Sequence, residues 1–443
     1  MPVSTGKCTN FGLCARADSR EWIEAPLEEF FCPDCGKPLH REKPSGGGGK
    51  KMALLGGAAA LFAALGYFLL RPGEPAPATP APTKAAAAWL RLAGSDTMAS
   101  RLTPALAEAF RARHGGGQDK QIAISGEGSS TAFTCLQQST CDIGMSSRPA
   151  TPAEGANLTE KVVALDAAVL IVHPAREKTT PTAALASSQL YVRNPQSGTR
   201  KWFLSNFGEP PPNATEVRTN AEMVERVKAD PKALGFASRA FAQGVQALEP
   251  EGKPLTRDAI ATESHPWARR LFFYLPANPS PAAQEFLDFV VSEAGQDIVE
   301  KQGFVGQNIR TLQTVEPPPN APPEYAGVAN IAERLSVDIR FQHNSRVIDT
   351  KARDDLERIA RILGQPNLKG RKILLFGFAD SSGSRPANLT LSRDRAQAVA
   401  EALRTQSIDP ALVTGFGQDL PVAPNDTEEN REKNRRVEVW LRR

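Results

Sequence analysis

The residues with chemistry to offer fall into three groups along this 443-residue chain. Near the C-terminus, Asp380 closes the apolar run "KILLFGFAD", and Arg395 follows fifteen residues later in "LSRDRA". A carboxylate pairs with an ammonium and a guanidinium forks onto a carboxylate, so together they would clamp a zwitterion. They would also serve as a plain salt bridge between strand end and helix. Upstream, three turns combine glycine with hydroxyls ahead of a helical pattern: Gly94, Ser95, Asp96, Thr97, Met98; Gly126, Gly128, Ser129, Ser130; and Arg193 with Ser197, Gly198, Thr199. Free backbone N–H groups at a helix start favour an anion, and glycine lets it approach closely. Any one such turn also suits simple N-capping.

The third group is Cys8, Cys14, Cys32 and Cys35. Two cysteine pairs about seventeen residues apart meet the needs of a tetrahedral zinc site, and a stretch this short needs metal to fold. Four thiolates leave no open position for a catalytic water, so the zinc is expected to be structural. A redox pair at Cys32 and Cys35 is the alternative, but no βαβ pattern surrounds it. Cys135 and Cys141 stand apart and could close a small disulfide loop, unless the segment between them is helical throughout.

One element sorts these groups by compartment. Met52 to Leu70 is nineteen residues without a charge, roughly 28 Å as a helix, which matches a bilayer core. Arg41, Lys43, Lys50 and Lys51 precede it and only Arg71 follows closely, so the N-terminus is expected in the cytoplasm. A Pro/Ala spacer over 71–88 follows, extended at about 3.1 Å per residue where polyproline-like. "EPPPNAPPEY" at 316–325 marks a second break. Beyond it the pattern is α+β. "SVDIRFQHNS" reads as a strand, and "DTKARDDLERIARILG" as a helix with Leu356, Ile359 and Ile362 on one face. A buried strand ending at Asp380, a helix through Ala396, Val399, Ala400 and Leu403, and two short strands complete it.

Three resemblances follow from these motifs. Residues 1–45, with "FCPDCGKPL", resemble a zinc ribbon. Residues 89–314 carry the three turns, "DIGMSSRP", "LGFAS", "HPWARRLFFYL" and "FLDFVVSEAGQDIVEKQGFV" in order. They resemble the phosphate-binding (PstS-like) proteins of ABC importers, a two-lobed α/β binding fold. The resemblance implies anion contacts from Thr97, Met98 (backbone), Ser129, Arg193, Ser197, Gly198 and Thr199. Ser147 stands where the classical members carry a proton-accepting aspartate, and the segment from Leu165 to Arg193 is short. Residues 328–443, with "GFADSSGS", "LSRDRA" and "NRRVEV", resemble the OmpA-like peptidoglycan-binding domain. That resemblance implies that Asp380 and Arg395 hold diaminopimelate of the stem peptide, with Asn388 as the loop asparagine; Arg435 and Arg436 read as bracing the last strand, with a cell-wall contact as the lesser alternative.

The expected architecture is therefore multidomain: zinc ribbon, one transmembrane helix (52–70), linker (71–88), two-lobed α/β domain, Pro-rich linker (315–327) and α+β domain. The expected function is non-enzymatic. An inner-membrane protein with its C-terminal domains in the periplasm binds phosphate or another small oxyanion and grips peptidoglycan, while the ribbon meets a cytoplasmic protein. A stator or purely structural tether is the alternative, but a stator needs a carboxylate inside its helix and Met52–Leu70 has none. For a phosphatase, no nucleophile–base arrangement is visible. A formal charge of +4 without a basic aromatic stripe argues against nucleic acid.

Overall fold

The structure, a computed structural model, describes residues 3–7, 22–26, 32, 33, 39 and 88–443, apart from 118, 119, 251, 252 and 313–316. The chain divides into two units, residues 1–83 and 84–443. In the first, β1 (Val3–Lys7) pairs antiparallel with β2 (Trp22–Pro26), with Gly6 opposite the buried Ile23. Of the four expected zinc ligands only Cys32 is described, and it is buried. Cys8, Cys14, Cys35 and the span Met52–Leu70 lie outside the described residues. Among the described residues no helix is long and apolar enough to cross a membrane, and no side-chain group could hold a metal ion.

The second unit opens with β3 (Leu90–Gly94), which passes through Thr97 and a π-helical turn, Met98–Leu102, into α1 (Thr103–Arg113). β4 (Ile122–Ser125), α2 (Ser129–Gln137), β5 (Ile143–Ser146) and the long β6 (Leu158–Val172) follow. Next come α3 (Pro181–Ser187), β7 (Gln189–Arg193), α4 (Gly198–Phe207), β8 (Thr215–Val217) and α5 (Asn220–Ala229). β9 (Ala233–Ser238), β10 (Gln246–Ala247), α6 (Arg257–Ala261), β11 (Ala268–Pro276), α7 (Pro281–Val291) and α8 (Glu293–Lys301) complete this part.

Its strands join in the order β4-β3-β5-β11-β6-β9-β7-β8, with β10 on β6. β6 and β11 run antiparallel through the middle, from Leu158 opposite Pro276 to Ala167 opposite Ala268. β3, β4 and β5 lie to one side of this pair and β7, β8 and β9 to the other, so two lobes share one hinge of crossing strands. Residues Val162 to Val172 of β6 are buried throughout, as a strand covered on both faces requires. Leu92, Phe110, Phe273 and Phe286 pack in the first lobe, and Val169, Phe203, Met223 and Phe236 in the second. α2 ends at Gln137, and Ser139 at φ 54° turns the chain back. The helix therefore does not run through, and Cys135 and Cys141 form a disulfide across a Cα separation of 5.3 Å.

The C-terminal part holds α9 (Pro323–Ile331), β12 (Ala332–Arg340), α10 (Thr350–Leu363), β13 (Ile373–Gly377), α11 (Arg385–Arg404), β14 (Leu412–Gly415), α12 (Glu428–Asn434) and β15 (Arg436–Arg442). The sheet order is β12-β15-β13-β14. Its one parallel pair, β13 with β14, is joined by the crossover helix α11, since parallel strands cannot be joined by a tight turn. Two elements differ from the sequence expectation. α9 begins inside the Pro-rich stretch, because Tyr325 buries its ring among Phe376, Phe378, Phe416 and Trp440 and donates its hydroxyl to Glu438. α11 begins at Arg385, about three turns ahead of the apolar face read from Ala396 to Leu403: Ser384 accepts from the Ala387 N–H as N-cap, and Pro386 suits the first turn. Asn388 therefore sits on a helix, not in a loop.

Candidate functional site

The three hydroxyl turns converge from both lobes. Ser129, on the first turn of α2, accepts from the Ser147 N–H at 2.9 Å, and their hydroxyls lie 3.1 Å apart. A Cβ built on Gly198, at the start of α4, would stand 2.5 Å from each of those two oxygens. Bare backbone at Gly198 is what allows the lobes to meet there. Across the same cleft, the Ser130 N–H donates to Gln196 O at 3.2 Å. Thr97 Oγ1 accepts from Asn220 Nδ2 at 3.1 Å, and Thr199 Oγ1 from Arg269 Nη1 at 3.0 Å. Met98 is different: its N–H donates to Ser95 O and its side chain is core.

Capping accounts for only one of the three turns. Ser197 caps α4 by accepting from the Arg200 N–H. Thr97 and Gly128, the residues before the other two helical starts, make no side-chain cap bond.

Arg193 is 1% exposed and sits at the end of β7. Its Nη2 reaches Asp96 Oδ2 at 3.1 Å and Arg218 O at 2.8 Å, while Nε and Nη1 are buried without a partner. Burial lowers its pKa, against the pull of Asp96. Asp96 is fully committed, since Oδ2 also takes the Asn220 N–H and Nδ2, and Oδ1 takes the Ser100 hydroxyl. Two arginines thus face the hydroxyl cluster. The second, Arg269, is held by Asp166 through Nε (3.0 Å) and Nη2 (2.8 Å). Burial raises the Asp166 pKa despite Arg269 and the Ser238 hydroxyl.

Sequence reasoning named Thr97, Ser129, Arg193, Ser197, Gly198 and Thr199, and these come together. It missed Asn220, Asp166 and Arg269. The available signal was the pair Arg269-Arg270 in an otherwise apolar strand. Adjacent residues of a strand face opposite sides, so one arginine turns to the cleft and the other away.

In the C-terminal part, α11 lies close on β13 and β14. A Cβ on Gly377 would fall 1.9 Å from Ser392 O, and one on Gly415 2.3 Å from Ser392 Oγ. Those two glycines seat Ser392, and Arg395 projects from the next turn. Arg395 is 0% exposed and bonds only to backbone carbonyls: Nε to Ser345 O (3.0 Å), Nη1 to Phe378 O (3.3 Å) and Nη2 to Gln342 O (3.3 Å). Its guanidinium lies 5.6 Å from the Phe341 ring centroid. No described carboxylate pairs with it. Burial and the nearby Arg435 push its pKa down to about 10, although Asp380 is close enough to oppose them.

Asp380 Oδ1 accepts from the Ser382 N–H and hydroxyl, and Oδ2 accepts from Arg435 Nη1 at 3.0 Å. Burial alone would raise its pKa, but Ser382 and Arg435 outweigh burial and hold it below the usual carboxylate range. The simple bridge between Asp380 and Arg395 is absent. Arg435, expected to brace the last strand, instead belongs to this cluster, spanning Asp380, Glu428 Oε1 (2.6 Å) and Phe341 O. Arg436 does brace the sheet, 3.9 Å from the Phe378 ring centroid and bonded to Glu438. Asn388 Nδ2 ties Asp380 O, Gly383 O and Gln418 Oε1 together, which shapes the loop carrying Asp380.

Residues 76–294 match the PBP superfamily domain and residues 340–435 match the OmpA family. The chain thus carries a two-lobed PBP-like domain followed by an OmpA-like domain. Over the C-terminal part it is 32% identical, across 114 residues, to the probable lipoprotein YiaD of Escherichia coli; this covers 25% of the chain and 51% of that protein. Over the two-lobed part it is 26% identical, across 265 residues, to the phosphate-binding protein PstS of Pseudomonas aeruginosa, covering 48% of the chain and 81% of that protein. The peptidoglycan-binding protein ArfA of Mycobacterium tuberculosis is 39% identical across 70 residues, 15% of the chain and 22% of that protein. The chain spans about half or less of the length of the first curated relatives it matches. Among solved structures, an ABC-type phosphate transport receptor from Vibrio cholerae aligns at 24% identity with a TM-score of 0.43, over 49% of this chain and 99% of that one.

Proposed function

We propose that this chain is a non-enzymatic envelope protein that holds a small tetrahedral oxyanion, phosphate foremost, between its lobes and grips the peptidoglycan stem peptide through its C-terminal domain. One observation carries the reading. Each domain buries an arginine whose guanidinium is incompletely paired: Arg193 meets Asp96 through Nη2 alone and leaves Nε and Nη1 unbonded, and Arg395 is hydrogen-bonded only to carbonyls. A buried cation without an anion is costly, and a ligand that supplies the anion recovers that cost. In the cleft, Arg193 and the hydroxyls of Thr97, Ser129, Ser197 and Thr199, with the Gly198 backbone, would take the oxygens of phosphate. In the second site Arg395 would fork onto the carboxylate of diaminopimelate, and ionised Asp380 would take its ammonium. Asn388 and Arg435 position that carboxylate.

The names of PstS and ArfA support this assignment, as does the Cys135–Cys141 disulfide, a bond of oxidising compartments. The same proposal includes the anchor at Met52–Leu70 with the N-terminus inside. It also includes structural zinc on Cys8, Cys14, Cys32 and Cys35, and a cytoplasmic protein partner for that ribbon. Metal analysis of the four-serine variant against the parent tests the zinc.

Purified sacculi test the wall site. The parent chain is expected to sediment with them, and Asp380→Ala and Arg395→Ala to stay in the supernatant. Retention of both variants at parent level refutes the clamp. Calorimetry with phosphate and with sulfate tests the cleft, and no heat from either turns the reading toward a tether whose solute-binding domain has lost its ligand.

A further inference from the structure

The OmpA-like domain lies across the hinge of the two-lobed domain and touches both lobes. On the first-lobe side, Lys161 Nζ on β6 pairs with Asp354 Oδ1 on α10 at 2.7 Å. Arg358, one turn further along α10, reaches Gln307 Oε1 at 3.4 Å. Gln307 in turn donates its Nε2 to Val162 O and its backbone N–H to Gln296 Oε1, both first-lobe groups. The tail of that lobe adds to the sheet edge: Leu312 N–H donates to Arg334 O, and Ser336 N–H to Arg310 O.

The second-lobe side is held by different residues. Lys351 Nζ, at the start of α10, lies 3.4 Å from Glu263 Oε1, at the end of α6. Arg340 Nη2 donates to Thr262 O at 2.6 Å, and Lys433 donates to Pro266 O. Arg270, at the crossing itself, joins Glu263 (2.8 Å) to Asp349 Oδ2 (3.2 Å), the N-cap of α10. Glu263 holds a left-handed φ of 55°, a conformation that its cationic partners help to fix.

We propose that the OmpA-like domain is a brace on the hinge, so that its docking and closure of the oxyanion cleft are linked. α10 is one rigid helix. Its Asp354 and Arg358 engage one lobe and its Lys351 the other, so rotating the lobes apart must break one set. The docked arrangement occurs together with the cross-cleft bonds of Asp96 to Arg193 and Asn220, and of Ser130 to Gln196. Docking therefore favours the closed cleft. By linkage, a ligand that closes the cleft tightens the dock to the same degree. A wall-bound C-terminal domain would then report on, or set, the state of the cleft.

Hydrogen exchange on the full chain tests this without depending on the ligand. The double variant Lys351→Met with Asp354→Ala removes one contact to each lobe and leaves Arg270–Glu263 in place. Exchange at the seam (residues 262–266) and at the cleft (129–131) is expected to rise together, at least tenfold, while β13 and β15 stay protected. Restoring the first-lobe contact with Lys161→Asp and Asp354→Lys is expected to restore part of both. A loosened seam with an unchanged cleft overturns the brace, and so does an unchanged seam. Added phosphate is expected to protect residues 262–266 in the parent and not in the variant. A parent that takes up no phosphate speaks against the oxyanion reading alone, because the exchange coupling is measured without it.

Discussion

Arg193 keeps Nε and Nη1 free inside a cluster of hydroxyls, and a fork of two donors is what a tetrahedral oxyanion uses. Arg193→Lys preserves the charge and loses the fork. Charge-assisted hydrogen bonds contribute about 1.5–3 kcal/mol each, so phosphate affinity is expected to fall roughly 10–100-fold by calorimetry. Equal affinity would mean that charge alone serves. At Asp380 the prediction concerns pH. Its folded pKa lies below the ordinary value, so its stabilisation is present above the unfolded carboxylate pKa and is lost as pH falls through the folded one. Asp380→Asn should therefore be less stable than the parent at neutral pH. In acid the two denaturation curves should converge, and a gap that persists there would assign the deficit to shape instead of charge.

At the scale of elements, glycines set how closely helices approach strands. Gly198 begins α4, where alanine is otherwise the better helix former by about 1 kcal/mol. Its Cβ would meet the Ser129 and Ser147 hydroxyls across the cleft, so Gly198→Ala should fold normally and fail to close on an anion. Normal melting with no phosphate heat is the expected pair of results; unimpaired binding would contradict the closed-cleft geometry. Gly377 differs, because its neighbour is backbone, Ser392 O, which cannot swing away. Overpacking of this kind costs about 1–3 kcal/mol, so Gly377→Ala should lower the melting temperature. It should also displace α11 and Arg395, reducing sacculus retention even among folded molecules.

For the whole molecule, the seam between the two described domains has its own titration. His265 accepts the Trp267 N–H at Nδ1 and bonds Lys253 O through Nε2, which fits the neutral ring. Burial lowers its pKa from 6.5 to about 4; the bond to Lys253 O opposes this, and the charges of Lys433 and Lys253 add to it. Between those values the unfolded chain binds the proton more readily, so stability falls as pH drops from 6.5 toward 4. The loss is on the order of 3 kcal/mol, and His265→Gln should flatten that part of the curve. Parallel curves for parent and variant would place the acid loss elsewhere.

Apart from α9 and the first turns of α11, local pattern sufficed to place the elements named from sequence and the hydroxyl turns, because helix periodicity, caps and buried strands are written within a few residues of themselves. It also marked Asp380 and Arg395 as charges beside a strand end and on a helix, although β13 stops at Gly377, three residues before Asp380. Partnership was decided only by the tertiary structure. Asp380 chose Arg435, 55 residues away, over Arg395, and Arg193 found Asp96 at a separation of 97. Arg269 and Arg270 look alike in sequence, yet strand alternation sends one to the cleft and the other to the seam. Those choices rest on which distant groups burial brings together, and desolvation makes the right pairing worth several times what it would be in water.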